Sequence, residues 1–599
     1  MNDGYKKSAE NHYQGMIKLI SSLKFLAQQN LPIRGHDDLE GNLRQLLELR
    51  AHDSLIVKEF LQNNKYLSHD IINELIELMA REVTTELLSE IRERKYFSTI
   101  VDETRDITGI EQMSFCTRSV DDDYSIYEDF LGFKALTETT SKHIFEQIKD
   151  ILIRFCFDKD NLRGQTYDGA SNMSGHISGV AALFLEIVEE ALYVHCYAHR
   201  LNLCLQEVSK KVTIMNDAQE FVKSLHNFIN NAPKRLQMFK DIKDKLLYED
   251  SDSELKISSK GIKPMCVTRF TVRTEAYAAV IDNYFVIMKV LTACSEAKDD
   301  TSAKASGLLD KLLNFKVIFG LHLARDVFAM GESLSVTLQS KDLDAQIASN
   351  SLSSFDKFLN DLRNDKSFED FYAKCKIFST KQNADPPLVP RRLRFYFEDA
   401  EKFFRKEYFE VVDVLLNELR RRFDGKSLHK LSLLQSVLID SSNGKFDEKK
   451  ASELAKYWPK DVKKDKLIPQ LKLFSTLKDI YNSITESEIK VREVTSMSTL
   501  VDLMNDVKGS KITFSEIHTL MKLYFVVPFT SCTSERSFSV LRMVKTYIRS
   551  SMTQLRLNNL VLLHVYKEKT KALSEEKIAK LFINSKSIET RTRYFGKRA

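Results

Sequence analysis

Two aspartates and one glutamate, far apart in the chain, stand where carboxylates can converge. Asp102 follows the apolar run Tyr96-Phe-Ser-Thr-Ile-Val101. Asp168 opens the loop Asp168-Gly-Ala-Ser-Asn-Met-Ser-Gly175, and Glu535 sits at a predicted helix start in Thr533-Ser-Glu-Arg-Ser-Phe-Ser539. Carboxylates from separate segments can surround two divalent ions roughly 4 Å apart, which is the chemistry of phosphodiester cleavage and strand transfer. Taken singly, each also has an ordinary reading. Asp102 suits a solvated turn, Asp168 an Asx-turn, and Glu535 the exposed face of a mixed-charge amphipathic helix. At about 100° per residue, a helix beginning near Ser534 buries Leu541, Val544 and Ile548, with Phe538 toward the edge. Arg542 and Arg549 then lie near the azimuth of Glu535, with Lys545 farther round, a face suited to metal and phosphate.

A second constellation is Tyr193-Val-His-Cys196-Tyr-Ala-His199-Arg-Leu-Asn-Leu203. Cys196 and His199 alone fall short of the four ligands of a structural zinc, and His195 and Cys204 do not complete the set. A packed thiol and a hydrogen-bonded imidazole that position a strand and a helix are the ordinary reading. The eight cysteines are scattered without a Cys-x-x-Cys pair, so a zinc site is not evident and free thiols in a reducing compartment are expected.

The elements that must hold these residues follow from periodicity. Residues 1–94 read as a helical N-terminal region, with Leu75, Ile76 and Met79 at turn spacing. Residues 95–211 read as three successive strands, then alternating helices and strands. Turns are expected at Thr108-Gly109 and Asp121-Asp-Asp123. The order β-β-β-α-β-α-β-α is that of an RNase H-like domain, with functional loops at strand ends. Strand signals fade after Val212, which predicts a helical insertion over 212–511, and return at Leu523-Tyr-Phe-Val-Val527. Residues 512–570 would complete the catalytic domain, and 571–599 read as a basic tail. The expected fold is therefore α/β plus all-α. It comprises an RNase H-like catalytic domain interrupted by a large helical insertion, with a helical N-terminal region. The only tryptophan, Trp458, is expected to serve packing.

The chain of 599 residues is 43% hydrophobic and 29% charged, with net charge +5. That balance favours a soluble globular protein, and no stretch approaches the ~20 apolar residues of a membrane helix. The first residues carry no apolar run suited to secretion. The weak net charge means that a polyanion would have to meet locally clustered basic groups.

Three blocks, Phe97–Phe133, Gly164–Leu203 and Pro528–Leu563, together resemble the hAT family of DNA transposases. The resemblance is to the branch that includes transposon-derived zinc-finger MYM-type proteins. The marks are Val-Asp-Glu-Thr, Tyr-Asp-Gly-Ala-Ser-Asn-Met-Ser-Gly, His-Cys-x-x-His-x-Leu-Asn-Leu, and Ser-Glu-Arg-Ser-Phe-Ser followed by Lys-Thr-Tyr-Ile-Arg-Ser-Ser-Met. The resemblance implies that Asp102, Asp168 and Glu535 form the catalytic triad and hold Mg²⁺ or Mn²⁺, with Cys196 and His199 beside them. It implies a nuclear protein that cuts and joins DNA and forms a homodimer or higher oligomer through its C-terminal region. DNA contacts are expected at Arg269, Phe270, Arg542, Lys545 and Arg549. In Cys266-Val-Thr-Arg269-Phe270 the family pattern has Trp after the Arg, and Phe offers less stacking area and no ring N–H. The zinc-bearing recognition module usual in the family has no counterpart before Asp102, so weak, salt-sensitive, sequence-independent DNA binding is expected. The alternative is a domesticated, transposase-derived nuclear protein that binds DNA or protein partners and dimerises without catalysis.

Overall fold

The computed structural model describes residues 3–35, 40–62, 66–175, 178–249, 261–265, 270–297, 301–340, 343–389, 399–423, 426–484, 490–585 and 588–596. The chain forms two compact units. One is Met1–His195 with Lys430–Ala599, and the other is Cys196–His429.

The first unit opens with four helices, α1 (Asp3–Gln28), α2 (Asn42–Asp53), α3 (Leu55–Gln62) and α4 (His69–Glu93). In α4, Ile72, Leu75, Ile76, Met79, Val83, Leu87 and Ile91 recur every three or four residues and are buried, as an amphipathic helix requires. The helix stops before Lys95, whose left-handed backbone (φ 70°) turns the chain into the sheet. Five strands follow: β1 (Phe97–Arg105), β2 (Glu111–Val120), β3 (Ile126–Leu136), β4 (Leu162–Tyr167) and β5 (Leu192–His195). Their spatial order is β3-β2-β1-β4-β5. The first three form an antiparallel meander, while β4 pairs parallel to β1 and β5 parallel to β4. Turns fall at Gly109 (φ 81°) and at Asp121–Tyr124, where the Asp121 carboxylate accepts from the amides of Asp123 and Ser125.

Both faces of the sheet are covered. Val101, Met113, Phe115 and Tyr167 pack with α5 (Ser141–Arg154) and α6 (Val180–Ile187) through Ile144, Ile148, Val180 and Phe184. Ile100, Cys116, Phe130 and Phe133, on the opposite face, pack with C-terminal and N-terminal helices. The strand alternation of Ile100 and Val101 thus separates two cores.

The second unit begins with α7 (Tyr197–Lys211) and is wholly helical among its described residues. Its central helix, Phe315–Leu338, is buried on nearly all sides. At Gly320 a Cβ would lie 2.8 Å from the Ile214 carbonyl, so glycine permits that helix to approach Thr213–Asn230.

Three expectations change. Leu523–Val527 is not a returning strand; Leu523 to Val526 end a helix, α8 (Ser515–Val526). Leu520, Met521, Leu523, Tyr524 and Val526 are all buried, and an apolar run buried all round has no period by which to tell helix from strand. The helical insertion ends earlier than expected, because helices after Lys430 belong to the sheet-bearing unit. There Asp461 receives two bonds from Arg163, at 2.6 and 2.7 Å, and Trp458 is buried. The expected tail folds as α11 (Glu575–Ile583) and α12 (Ile588–Phe595), which bury Ile578, Phe582 and Phe595 against the N-terminal helices. No single helix among the described residues is long and apolar enough to span a membrane.

Candidate carboxylate site

Asp102 lies within β1, opposite Ser114 of β2, and not at the strand's end. It stands two residues beyond the last β1–β4 pair, Ile100 with Thr166, so the chain leaving β4 at Asp168 passes beside it. By strand alternation Asp102 shares a face with Ile100, the face covered by α9 (Cys532–Val544).

The seating of α9 explains the serines around Glu535. Its buried stripe is Ser534, Ser537, Phe538, Leu541 and Val544. The Ser534 hydroxyl donates to the Ile100 carbonyl at 3.4 Å, and the Ser537 and Ser114 hydroxyls are 2.8 Å apart. Two small polar side chains one turn apart let the helix lie close on the strands while satisfying buried hydrogen bonds. A buried ion pair fixes the same end. Arg118 bonds Glu128 at 2.9 Å and the Phe525 carbonyl at 2.9 Å, while the Thr533 hydroxyl donates to Glu128. On β4, Thr166 donates to the Pro528 carbonyl at 2.7 Å. At neighbouring Gly164 a Cβ would lie 2.4 Å from the Ser98 hydroxyl, so the strand can carry no side chain there. Glu535 therefore projects from a helix start bolted to β1, β2 and β4.

Two of the predicted carboxylates act on the third. Burial raises Asp102 well above the usual carboxylate range, and the negative charges of Asp168 and Glu535 raise it further. Burial also raises Glu535, tempered by Arg536, although water reaches this residue from the open side. Among the described residues Asp102 accepts only from the Glu103 amide (2.9 Å), and Asp168 caps its loop by accepting from the Ala170 amide (3.2 Å). Asp168 is thus an Asx-turn residue and a neighbour of Asp102 at once. No Lys, Arg or His forms an ion pair with any of the three among the described residues.

A fourth carboxylate was missed by sequence reasoning. Burial, Asp168 and Glu111 push Glu103 up to about 7, and its buried Oε1 has no hydrogen-bond partner among the described residues. The acidic pair Asp102-Glu103 was the available signal. The cluster is acidic, oxygen-rich and short of cations, which suits a hard divalent ion in charge and donor type. Among the described residues, however, no three His, Cys, Asp or Glu side chains already converge within ligating reach. Binding an ion would have to draw the carboxylates inward.

The ZMYM1/FAM200, RNase-like domain matches residues 2–179, and the hAT family C-terminal dimerisation region matches residues 488–568. The chain is thus similar to the ZMYM1/FAM200 proteins in its RNase-like domain and to the hAT family in its C-terminal region. Two relatives, from Mus musculus and Homo sapiens, are each named 52 kDa repressor of the inhibitor of the protein kinase. They are 22% and 23% identical, across 91% of this chain in both cases and 74% and 73% of their own lengths.

The hAT dimerisation span contains α8, α9 and α10 (Gln554–Val565). Within the chain those helices bury Phe538, Leu541, Leu557 and Leu563 in one core with Ile100 and Phe133. The Asn558 side chain bonds both the amide and the carbonyl of Phe133. Much of this region therefore completes the sheet's covering.

The remaining predicted site residues differ in setting. Cys196 is buried at the N-cap of α7 and His199 half-buried in its first turn, both in the helical unit. Lys545 is not available to DNA: its ammonium meets the Asp106 carboxylate at 2.6 Å, with side chains 4% and 1% exposed. Ile548 does not extend the buried stripe, because α9 ends at Val544 and Tyr547–Arg549 form a separate 3-10 turn. Arg549 thus leaves the helical face of Glu535 and bonds the Asn30 side chain (3.2 Å) and carbonyl (3.3 Å). Arg542 is exposed on α9. Arg269 lies outside the described residues, as does the side chain of Phe270, the first residue of a helix.

Proposed function

We propose that this chain is a transposase-derived nuclear protein that associates with DNA as a homodimer and acts on gene expression. The observation that carries this reading is similarity along 91% of the chain to two proteins named as repressors, together with the dimerisation region. Exposed basic groups, including Arg542, supply a sequence-independent hold on phosphate.

A second reading, metal-dependent DNA cleavage and strand transfer, is favoured by the raised Asp102 and its acidic neighbours. Holding three acids together without a basic partner costs stability and is characteristic of functional sites. In this reading Asp102, Asp168 and Glu535 hold Mg²⁺ or Mn²⁺, which when bound supplies Lewis-acid stabilisation of charge on the phosphodiester. The Ser534 and Ser537 bonds seat the start of α9 on β1 and β2, and the Asp168 turn follows β4, the parallel neighbour of β1. Incubation of labelled duplexes with the full chain and each metal separates the readings. Binding without nicking supports the silent protein. Nicking that disappears in Glu535→Gln while binding persists supports catalysis.

A further inference from the structure

Residues 536–567 hold four arginines and two lysines and no aspartate or glutamate. This acid-free run starts one residue after Glu535 and spans α9, the 3-10 turn and α10. One of its charges, Lys545, is neutralised by Asp106. Arg549 and Arg556 are not neutralised. Arg549 bonds Asn30 and the Val544 carbonyl, Arg556 bonds the Asn73 side chain, and neither meets a carboxylate among the described residues. Burial, joined by the positive charges of Arg34 and Arg549, lowers Arg556 to about 10. Like charges are thus gathered at the elbow between α9 and α10, with Arg34 also lining an adjacent cavity of about 290 Å³ beside Arg44, Ser68 and His69.

At the tip of this basic elbow stand two large apolar side chains in sequence, Tyr547 (85% exposed) and Ile548 (82% exposed). The loop that carries them is tethered on both sides, by the Lys545–Asp106 pair and by Arg549 on Asn30. The first tether also brings up the β1–β2 turn, where Ile107 is exposed. A rigidly presented aromatic–aliphatic tip is costly in water, and its surroundings are cationic. From Glu535 to Val544 the helix rises about 14 Å, roughly four base-pair steps along a duplex.

We propose that this elbow grips DNA beside the carboxylate site. Arg549 and Arg556 receive backbone phosphates, while Tyr547 and Ile548 pack against sugars and bases at a point where the duplex is opened. Phosphate contacts would supply a salt-dependent hold, and the tip a stacking contact that salt does not screen. This rests on the DNA-associating reading above.

The test uses the full chain, a fluorescein-labelled 30-bp duplex and the same duplex with one splayed end, titrated at several salt concentrations. Tyr547→Ala/Ile548→Ala should weaken binding to the splayed duplex about tenfold without changing the salt slope. Arg549→Gln should flatten that slope by about one unit on both DNAs. Tyr547→Trp should keep the wild-type affinity and be quenched by DNA. Wild-type binding with an unaffected double variant overturns the proposal and leaves the DNA-associating reading standing. Absence of binding by the wild type overturns both. A double variant that falls from dimer to monomer in sedimentation, with DNA affinity per protomer unchanged, overturns the proposal by making the tip a contact between copies.

Discussion

Replacing Lys545 with Met separates two roles for this residue, a ligand for DNA and an internal tie. The ammonium and the Asp106 carboxylate are 2.6 Å apart and almost wholly buried. Burial pulls Asp106 upward, but bonds from Lys545, Thr108 and Gln112 outweigh it and bring it down to about 2, from the ordinary 3.8. A depression of that size corresponds to about 2 kcal/mol of stability. Removing one partner of a buried pair costs more, about 3–5 kcal/mol, because the other charge is left in a dry site. We expect Lys545→Met to lose about 3 kcal/mol at pH 7. Asp106 has a lowered folded pKa, so its contribution is present above pH 4 and is lost as the pH falls toward 2. The gap between wild type and variant should close over that window. Urea unfolding followed by Trp458 reads the right part of the molecule, since the single tryptophan is buried within the sheet-bearing unit. An unchanged urea midpoint, with a DNA salt slope reduced by one unit, would refute the reasoning.

Arg118→Met strips the buried Glu128 of its cation and loosens the start of α9; we expect a loss of about 3–5 kcal/mol in urea unfolding, and a neutral result would show that Thr533 alone satisfies the carboxylate. Ser537→Leu forces a larger side chain between α9 and β2, costing about 1–3 kcal/mol, whereas Ser537→Ala should cost only about 1 kcal/mol for the lost bond to Ser114; equal effects in thermal melts would contradict this seating. His322 is buried in the helical unit with neither ring nitrogen hydrogen-bonded among the described residues, and burial holds it down to about 3. The folded state refuses the proton, so stability is full above pH 6.5 and declines as the pH falls toward 3, by about 2 kcal/mol at pH 5. His322→Leu should abolish that decline in calorimetry, and parallel pH profiles would exclude it.

The meander and the alternating elements after it were legible because strand and helix periods differ, and because turns carry residues with special backbone demands. Gly109 and Asp121 mark the two hairpin turns by sequence and do so in space. The stripe Phe538, Leu541 and Val544 was likewise readable from helical spacing. The end of that stripe was not. Helical spacing continues through Ile548, but the chain breaks at Lys545, where a buried ion pair with a residue 439 positions away outweighs local propensity. Leu523–Val527 misled for a related reason, since burial on every side erases the period.

The sequence by itself marked out the three carboxylates as candidates and the element order around them, because these follow from local chemistry and spacing. Tertiary structure alone decided which charges are spent. It buries Lys545 against Asp106, leaves Arg549 and Arg556 without a carboxylate among the described residues, and raises Glu103 beside Asp168. It also returns the helices after Lys430, and the expected tail, to the sheet-bearing unit. An amphipathic helix announces that it has an apolar face, but not whose core will bury it. A charged residue announces its sign, while its partner and its access to water depend on segments hundreds of residues away.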